Sequence, residues 1–252
     1  SPLYTDKAIS YLLALIEDLI KESHIDTLII SDLNLIFALN EEKFPVKLHL
    51  SSLSSCFNSR TAGFYKELGI KRIILPRQLR FPEIKELIEN TDSQMEFEVF
   101  AVNDGCYYEE GYCQTSHSFM PFCISGYSIE DSSFAEDKTT QAELEKIKKE
   151  FQSYLWYQNN CGSSYQADGL PNGPCSLCLF GHFRDIGVTA VKIVGREASF
   201  HRKMASLQMV KAVVDKAKTG AGCEEIADFA RKMRNTKKYC SSGYMCYFGN
   251  FL

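Results

Sequence analysis

Cys106 and Cys113 bracket the stretch CYYEEGYC, six residues apart, and Cys175 and Cys178 bracket CSLC, two residues apart. Thiolates are soft ligands, and four of them without a nearby histidine suit a structural zinc ion or an iron–sulfur cluster. Zinc sites usually use two tight knuckles, and only CSLC has that spacing. A cluster is larger and accepts ligands from distant loops, so the spacing favours it, with zinc as the alternative and unligated thiols as the third option. The chain holds ten cysteines in 252 residues, too sparse for a disulfide scaffold. Reduced thiols gathered in loops point to metal before disulfides. Cys123 and Cys161 fall in the same irregular stretch, whereas Cys56 and Cys223 stand apart from pairs and read as structural or incidental.

Other chemistry has fewer signals. The sequence has no HExxH of a zinc protease and no GxSxG of a serine hydrolase. Arg77 closes the run IILPR, and VKIVGR carries Lys192 and Arg196. Charge at the end of a buried strand sits on the face where parallel α/β folds do chemistry, and a guanidinium grips carboxylate or phosphate in two places. These three residues are the candidate anchors for an anionic group, with a structural ion pair as the alternative for Lys192 and Arg196. His49 in VKLHLSS reads either as a satisfied core histidine or as a side chain pointing into a barrel.

The elements that must position these groups alternate at short spacing. Helical patterns in DKAISYLLALIEDLIKESH, DLNLIFALNEEK, NSRTAGFYKELG and RFPEIKELIENT are interleaved with strand runs DTLIIS, VKLHLSS, KRIILP and QMEFEVFAV. Asp32 and Asn58 are the expected caps of two of these helices, and Gly69 the stop of one. Regularity breaks from 103 to 177, where one helix is expected in TTQAELEKIKKEFQSYL and a sixth strand is weighed in SYLWYQ. It resumes with helix CLFGHFRDIG, strand TAVKIVG, and helices ASFHRKMASLQMVKAVVDKAK and CEEIADFARKMRN. Such βα repetition without a Gly-rich phosphate loop after the first strand indicates a TIM-like (β/α) barrel. A closed barrel needs eight strands, so an incomplete or N-terminally truncated one is expected, consistent with a start at SPLYTDK without Met. The reading is one barrel-type domain over 1–252: regular units in 1–102, a Cys-rich insertion in 103–177, final units in 178–234 and a Cys/aromatic tail in 235–252.

A net charge of −4 and 24% charged residues describe an ordinary globular protein without an overall nucleic-acid footprint. Basic residues cluster locally in GREASFHRK and ARKMRNTKK, which read first as solvated helix faces. No apolar run approaches the roughly 18 residues that span a bilayer, and no signal-peptide pattern opens the chain. A cytoplasmic protein without membrane association is expected.

The stretch EVFAVNDGCYYEEGYCQTS resembles the signature of the collagenase-like peptidase family U32, through Glu98, Phe100, Cys106, Gly111, Cys113 and Ser116. It departs from that signature before Cys106, where Val102, Asn103, Asp104 and Gly105 replace the family's His-Gly-small-apolar run. IISD, LHLSS, FYKELGIKRIILPR and GVTAVKIVGR are similar to family segments in family order. The resemblance implies a barrel holding a 4Fe–4S cluster on four cysteines. Cys106 and Cys113 carry over directly, Cys175 fits the last position, and Cys123, Cys161 and Cys178 compete for the third. The set taken forward is Cys106, Cys113, Cys175 and Cys178.

The resemblance further implies oxygen-independent hydroxylation, since family relatives act so on transfer RNA, ribosomal RNA or a quinone precursor. A collagenase-like peptidase is the alternative, and a non-catalytic subunit with a structural cluster, completed by a second family subunit or a second copy, is the third. RNA or a small anionic molecule is the expected partner. The tail YCSSGYMCYF has two readings: a segment docked by its aromatics with Cys240 and Cys246 buried, or a flap bringing a thiol to the cluster face.

Overall fold

The computed structural model describes residues 4–103, 140–160, 166–171, 173–195, 198–236, 240–241 and 246–248, with the side chains of 153–160 excepted. Helix α1 (Asp6–Ser23) precedes three βα units and a fourth strand. In order these are β1 (Thr27–Ile30), α2 (Leu33–Glu41), β2 (Lys47–Leu50), α3 (Ser59–Glu67), β3 (Ile70–Ile74), α4 (Phe81–Glu89) and β4 (Glu96–Val102). Helices α5 (Gln141–Asn160) and α6 (Phe180–Asp185) come before β5 (Ala190–Ile193), and α7 (Phe200–Lys218) and α8 (Cys223–Arg234) follow it.

The caps are where the sequence puts them. Asp32 accepts the Leu35 N–H at 2.9 Å and starts α2, and Asn58 accepts the Thr61 N–H at 2.9 Å and starts α3. Gly69, at φ 81°, makes the left-handed turn into β3 that a side chain would strain. The five strands pair in parallel and in chain order, β1-β2-β3-β4-β5. Right-handed crossovers in one constant direction put the helices on one face and curl the sheet into half of a TIM-like barrel.

Strand alternation then sorts the side chains. Leu48, Leu50, Ile70, Ile73, Phe97 and Val99 point toward the helices and form the apolar core with α1 to α4 and α6 to α8. Their neighbours His49, Arg72, Glu98 and Phe100 lie outside that core, on the inner face of the curl. Gly181 lets α6 and α8 touch: a Cβ there would stand 2.9 Å from the Cys223 Cα.

One sequence expectation is corrected. SYLWYQ is not a strand, because its backbone continues α5 to Asn160. No turn signal separates it from the helical run before it, and β4 already pairs directly with β5. The Cys-rich part of the insertion, with Cys106, Cys113, Cys123 and Cys161, lies outside the described residues. Among the described residues no helix is long and apolar enough to cross a membrane.

Candidate functional site

The inner face carries charge across three strands. Arg72 on β3 reaches Glu96 at 2.6 Å and Glu98 at 3.4 Å, both on β4. His49 on β2 is in register with Arg72, and burial, then the Arg72 charge, lowers its pKa. Toward the C-terminal ends, Phe100 on β4 is in register with Lys192 on β5, so both point inward. Arg77, three residues beyond β3, lays its guanidinium over the Phe100 ring at 4.9 Å, a cation–π contact. Phe100 is thus flanked by two of the three expected cations. Arg196 lies outside the described residues.

The thiols gather at the same end. Residues 173–177 run beside the end of β4: Asn103 N–H donates to the Pro174 carbonyl at 2.9 Å, and Ser176 N–H to that of Ala101 at 2.9 Å. The Ser176 hydroxyl, fully buried, donates to the Phe100 carbonyl at 2.6 Å. Cys175 sits between two chain passages, bridged antiparallel to Val102 and parallel to Cys246. Cys178 follows within a short 3-10 turn, Leu177–Leu179, and packs against the apolar core. The tail is docked by aromatics: Phe248 is buried, with its ring 5.5 Å from Phe183, and Tyr247 lies 6.2 Å from Phe100.

Arg234, only 2% exposed, donates to the Cys175 sulfur at 2.7 Å and to the Gly173 carbonyl. Burial pushes the Cys175 thiol up while that guanidinium pulls it back. Cys178 is pushed up to about 12, first by burial and then by the thiols of Cys175 and Cys246. Cys240 and Cys246 also act electrostatically on this pair. Among the described residues no three His, Cys, Asp or Glu side chains are arranged to hold a metal ion. The donors nevertheless fit part of a thiolate-bound cluster or zinc site: soft sulfur, an apolar surround, and a buried cation against one sulfur that would offset thiolate charge.

Three residues at this corner escaped the sequence reading. Arg234 lies in the basic run ARKMRN, but it falls on the face of Ile226 and Ala230 at four-residue spacing, and that periodicity marks it as buried. Asn103 takes a left-handed φ of 87° and donates to the Val194 carbonyl at 3.0 Å and to Ser206 at 3.2 Å. It ties the end of β4 to β5 and α7 at the place where the family signature has its departing run. Ser176 had no signal beyond its place in CSLC. Cys56 is buried and pushed up to about 12, and Cys223 donates to Asp185 at 3.2 Å.

A larger cleft of about 400 Å³ opens elsewhere, lined by Asn58, Gln78, Glu83, Glu86 and Asn90 among others. It contains no thiol and no cation, so its size does not make it the reactive site.

Comparison with known proteins agrees with the motif. Residues 2–250 match the sequence model of peptidase family U32. Over 91 residues the chain is 36% identical to tRNA hydroxylation protein P of Escherichia coli, covering 36% of this chain and 20% of that protein. It is 24% identical over 208 residues to tRNA hydroxylation protein P1 of Bacillus subtilis, covering 79% and 46%. It is 24% identical over 223 residues to an uncharacterized protease of Methanocaldococcus jannaschii, covering 86% and 50%. The chain therefore spans half or less of the length of these relatives. No solved structure matches it significantly.

Proposed function

The chain belongs to peptidase family U32, and from that premise we propose that it is an iron–sulfur enzyme hydroxylating transfer RNA without dioxygen. The observation that carries this reading is the meeting of soft ligands and cations at one strand end. Cys175 is bridged to Val102, while Arg77 and Lys192 flank Phe100 two residues earlier on β4. Cys106, Cys113 and Cys175 with one further thiol would hold the cluster, which when bound supplies a one-electron redox centre.

The rest is work for this chain's own side chains. Arg77 and Lys192, with Arg196 beyond β5, would hold the anionic group of an oxygen donor, Arg77 gripping it in two places. Hydroxylation converts a C–H bond of a nucleoside into C–OH. The donor surrenders that oxygen and leaves reduced by two electrons, so dioxygen is not consumed. The rings of Phe100, Tyr247 and Phe248 keep water from this corner and raise the strength of its electrostatics.

The start of α7, which follows β5 at the mouth, suits a nucleic-acid substrate. Phe200 is 77% exposed there, and His201, Arg202 and Lys203 beside it are exposed too. An open ring amid cations is a stacking platform for an unpaired base. The relatives named as tRNA hydroxylation proteins favour transfer RNA over other substrates.

The test is to express the chain in cells lacking their own tRNA hydroxylation protein and to analyse tRNA nucleosides by mass spectrometry. A nucleoside heavier by one oxygen should appear, and Cys175→Ser should abolish it. Unmodified tRNA from cells holding cluster-loaded protein would overturn the reading. Cleavage of gelatin that survives loss of the thiols would favour the peptidase instead.

A further inference from the structure

We infer that a second apolar face of α1 is a contact surface for another copy of this chain, met antiparallel about a two-fold axis at Leu15. Helix α1 carries two apolar stripes where a helix at the edge of a fold needs one. Ile9 and Ile16, seven residues apart, are buried and belong to the core. Tyr11, Leu15 and Leu19 recur every fourth residue about a third of a turn away. All three are exposed, Tyr11 by 68%. The remaining face is the one left to water, with Glu17 and Lys21 paired across it at 2.6 Å. Single exposed leucines need no explanation, but a row of large apolar groups along one helix does.

The adjoining elements are open too. Of the ten large apolar side chains exposed among the described residues, six lie on α1, β1 and α2, so the surface is concentrated on this side of the chain. β1 ends the sheet, pairing among the described residues with β2 alone, and its Ile29 is 52% exposed. Parallel strands are normally covered on both faces, and an uncovered edge is a template for association.

Charge decides what covers the row. Lys7 stands at its N-terminal end and Glu22 at its C-terminal end, both exposed. Laid parallel to a copy of itself, the helix would set Lys7 against Lys7 and Glu22 against Glu22. Laid antiparallel about Leu15, it brings Lys7 of each copy to Glu22 of the other, Tyr11 to Leu19, and Leu15 to Leu15. The row is thus self-complementary in both shape and charge, as a two-fold interface requires. The 18 residues of α1 span about 27 Å. Such a helix pair is at the small end of specific interfaces, so the dimer is reversible rather than obligate, and it does not depend on the thiols at the strand ends.

The experiment is analytical ultracentrifugation of the full chain and its variants over a range of concentrations. The mass should rise with concentration from 28.6 kDa toward twice that value. Leu15→Asp sets two carboxylates against each other on the axis and should weaken the dimer by at least about tenfold. Leu207→Asp, at an exposed leucine of α7, should leave it unchanged. Lys7→Glu and Glu22→Lys should each weaken it by roughly three- to tenfold, and the two together should restore it. A chain still monomeric at about 1 mM overturns the inference. So does a dimer that persists in Leu15→Asp, or a double reversal that repairs nothing. Should Leu15→Asp fold poorly by circular dichroism, the charge reversals, both at exposed positions, decide.

Discussion

The two faces of the same five strands are built by different rules. Toward the helices, Leu50, Ile73, Phe97 and Val99 are at most 2% exposed and belong to the apolar core. One residue away along each strand, His49, Arg72, Glu98 and Lys192 face inward, partly exposed or paired. A period of two makes this segregation automatic once the helices choose a face. The outer face carries the stability and tolerates little, whereas the inner face spends little on stability and is free to hold charge.

Breaking the outer face should therefore cost most. Phe97→Ala removes a ring that is 2% exposed and should destabilise the fold by about 3–5 kcal/mol, read as a lower urea midpoint. A loss under about 1 kcal/mol would mean that the core is not packed around β4. On the inner face Glu98→Ala should cost less, about 1–2 kcal/mol, since Arg72 keeps Glu96 at 2.6 Å. Adding Arg72→Met to that variant should recover part of the loss. Additive losses in the double variant would show that the pair does not couple.

Thiol reactivity separates the regions again. Cys56, with its pKa pushed up to about 12 by burial, should resist alkylation in the folded chain at neutral pH. Cys223, half-buried beside Asp185, should react well before it. Mass-resolved labelling checks the order, and equal rates would place Cys56 outside a packed core.

The smallest effect belongs to His49. Burial and Arg72 lower its folded pKa below the unfolded value. Its contribution to stability is therefore present above the unfolded pKa, near 6.5, and is lost as pH falls from there through the lower folded value. His49→Gln should flatten the stability profile slightly on the acid side and leave the alkaline side unchanged. A flattening confined to alkaline pH would mean that the sign is wrong.

Most of the regular frame was legible because it is locally encoded. Asp32 and Asn58 announce α2 and α3, β-branched runs mark β1 to β4, and VKIVG marks β5, each needing only its neighbours in sequence. SYLWYQ misled because aromatic strand propensity is weak beside the cooperativity of a helix already running from Gln141. Arg77 and Lys192 stand out in the sequence by their positions at strand ends, and the structure brings both beside Phe100. Arg234 hid in a charge run whose helical face, rather than its composition, decides burial. The Cys175–Cys246 bridge joins segments remote in sequence, and no local pattern encodes such a pairing. The sequence offered the tail two readings, and docking by Tyr247 and Phe248 is the part the structure supplies.

The function proposed above would have thiols at the mouth of the half-barrel hold an iron–sulfur cluster beside Arg77 and Lys192. Purification and reconstitution under strict anaerobiosis, with iron and acid-labile sulfide measured for the unaltered chain and for Cys175→Ser, tests it most directly. The account predicts iron and sulfide in equal amounts, a broad visible absorption that bleaches in air, and loss of all three in Cys175→Ser. A colourless protein carrying stoichiometric zinc, or iron that survives the loss of Cys175, would contradict it.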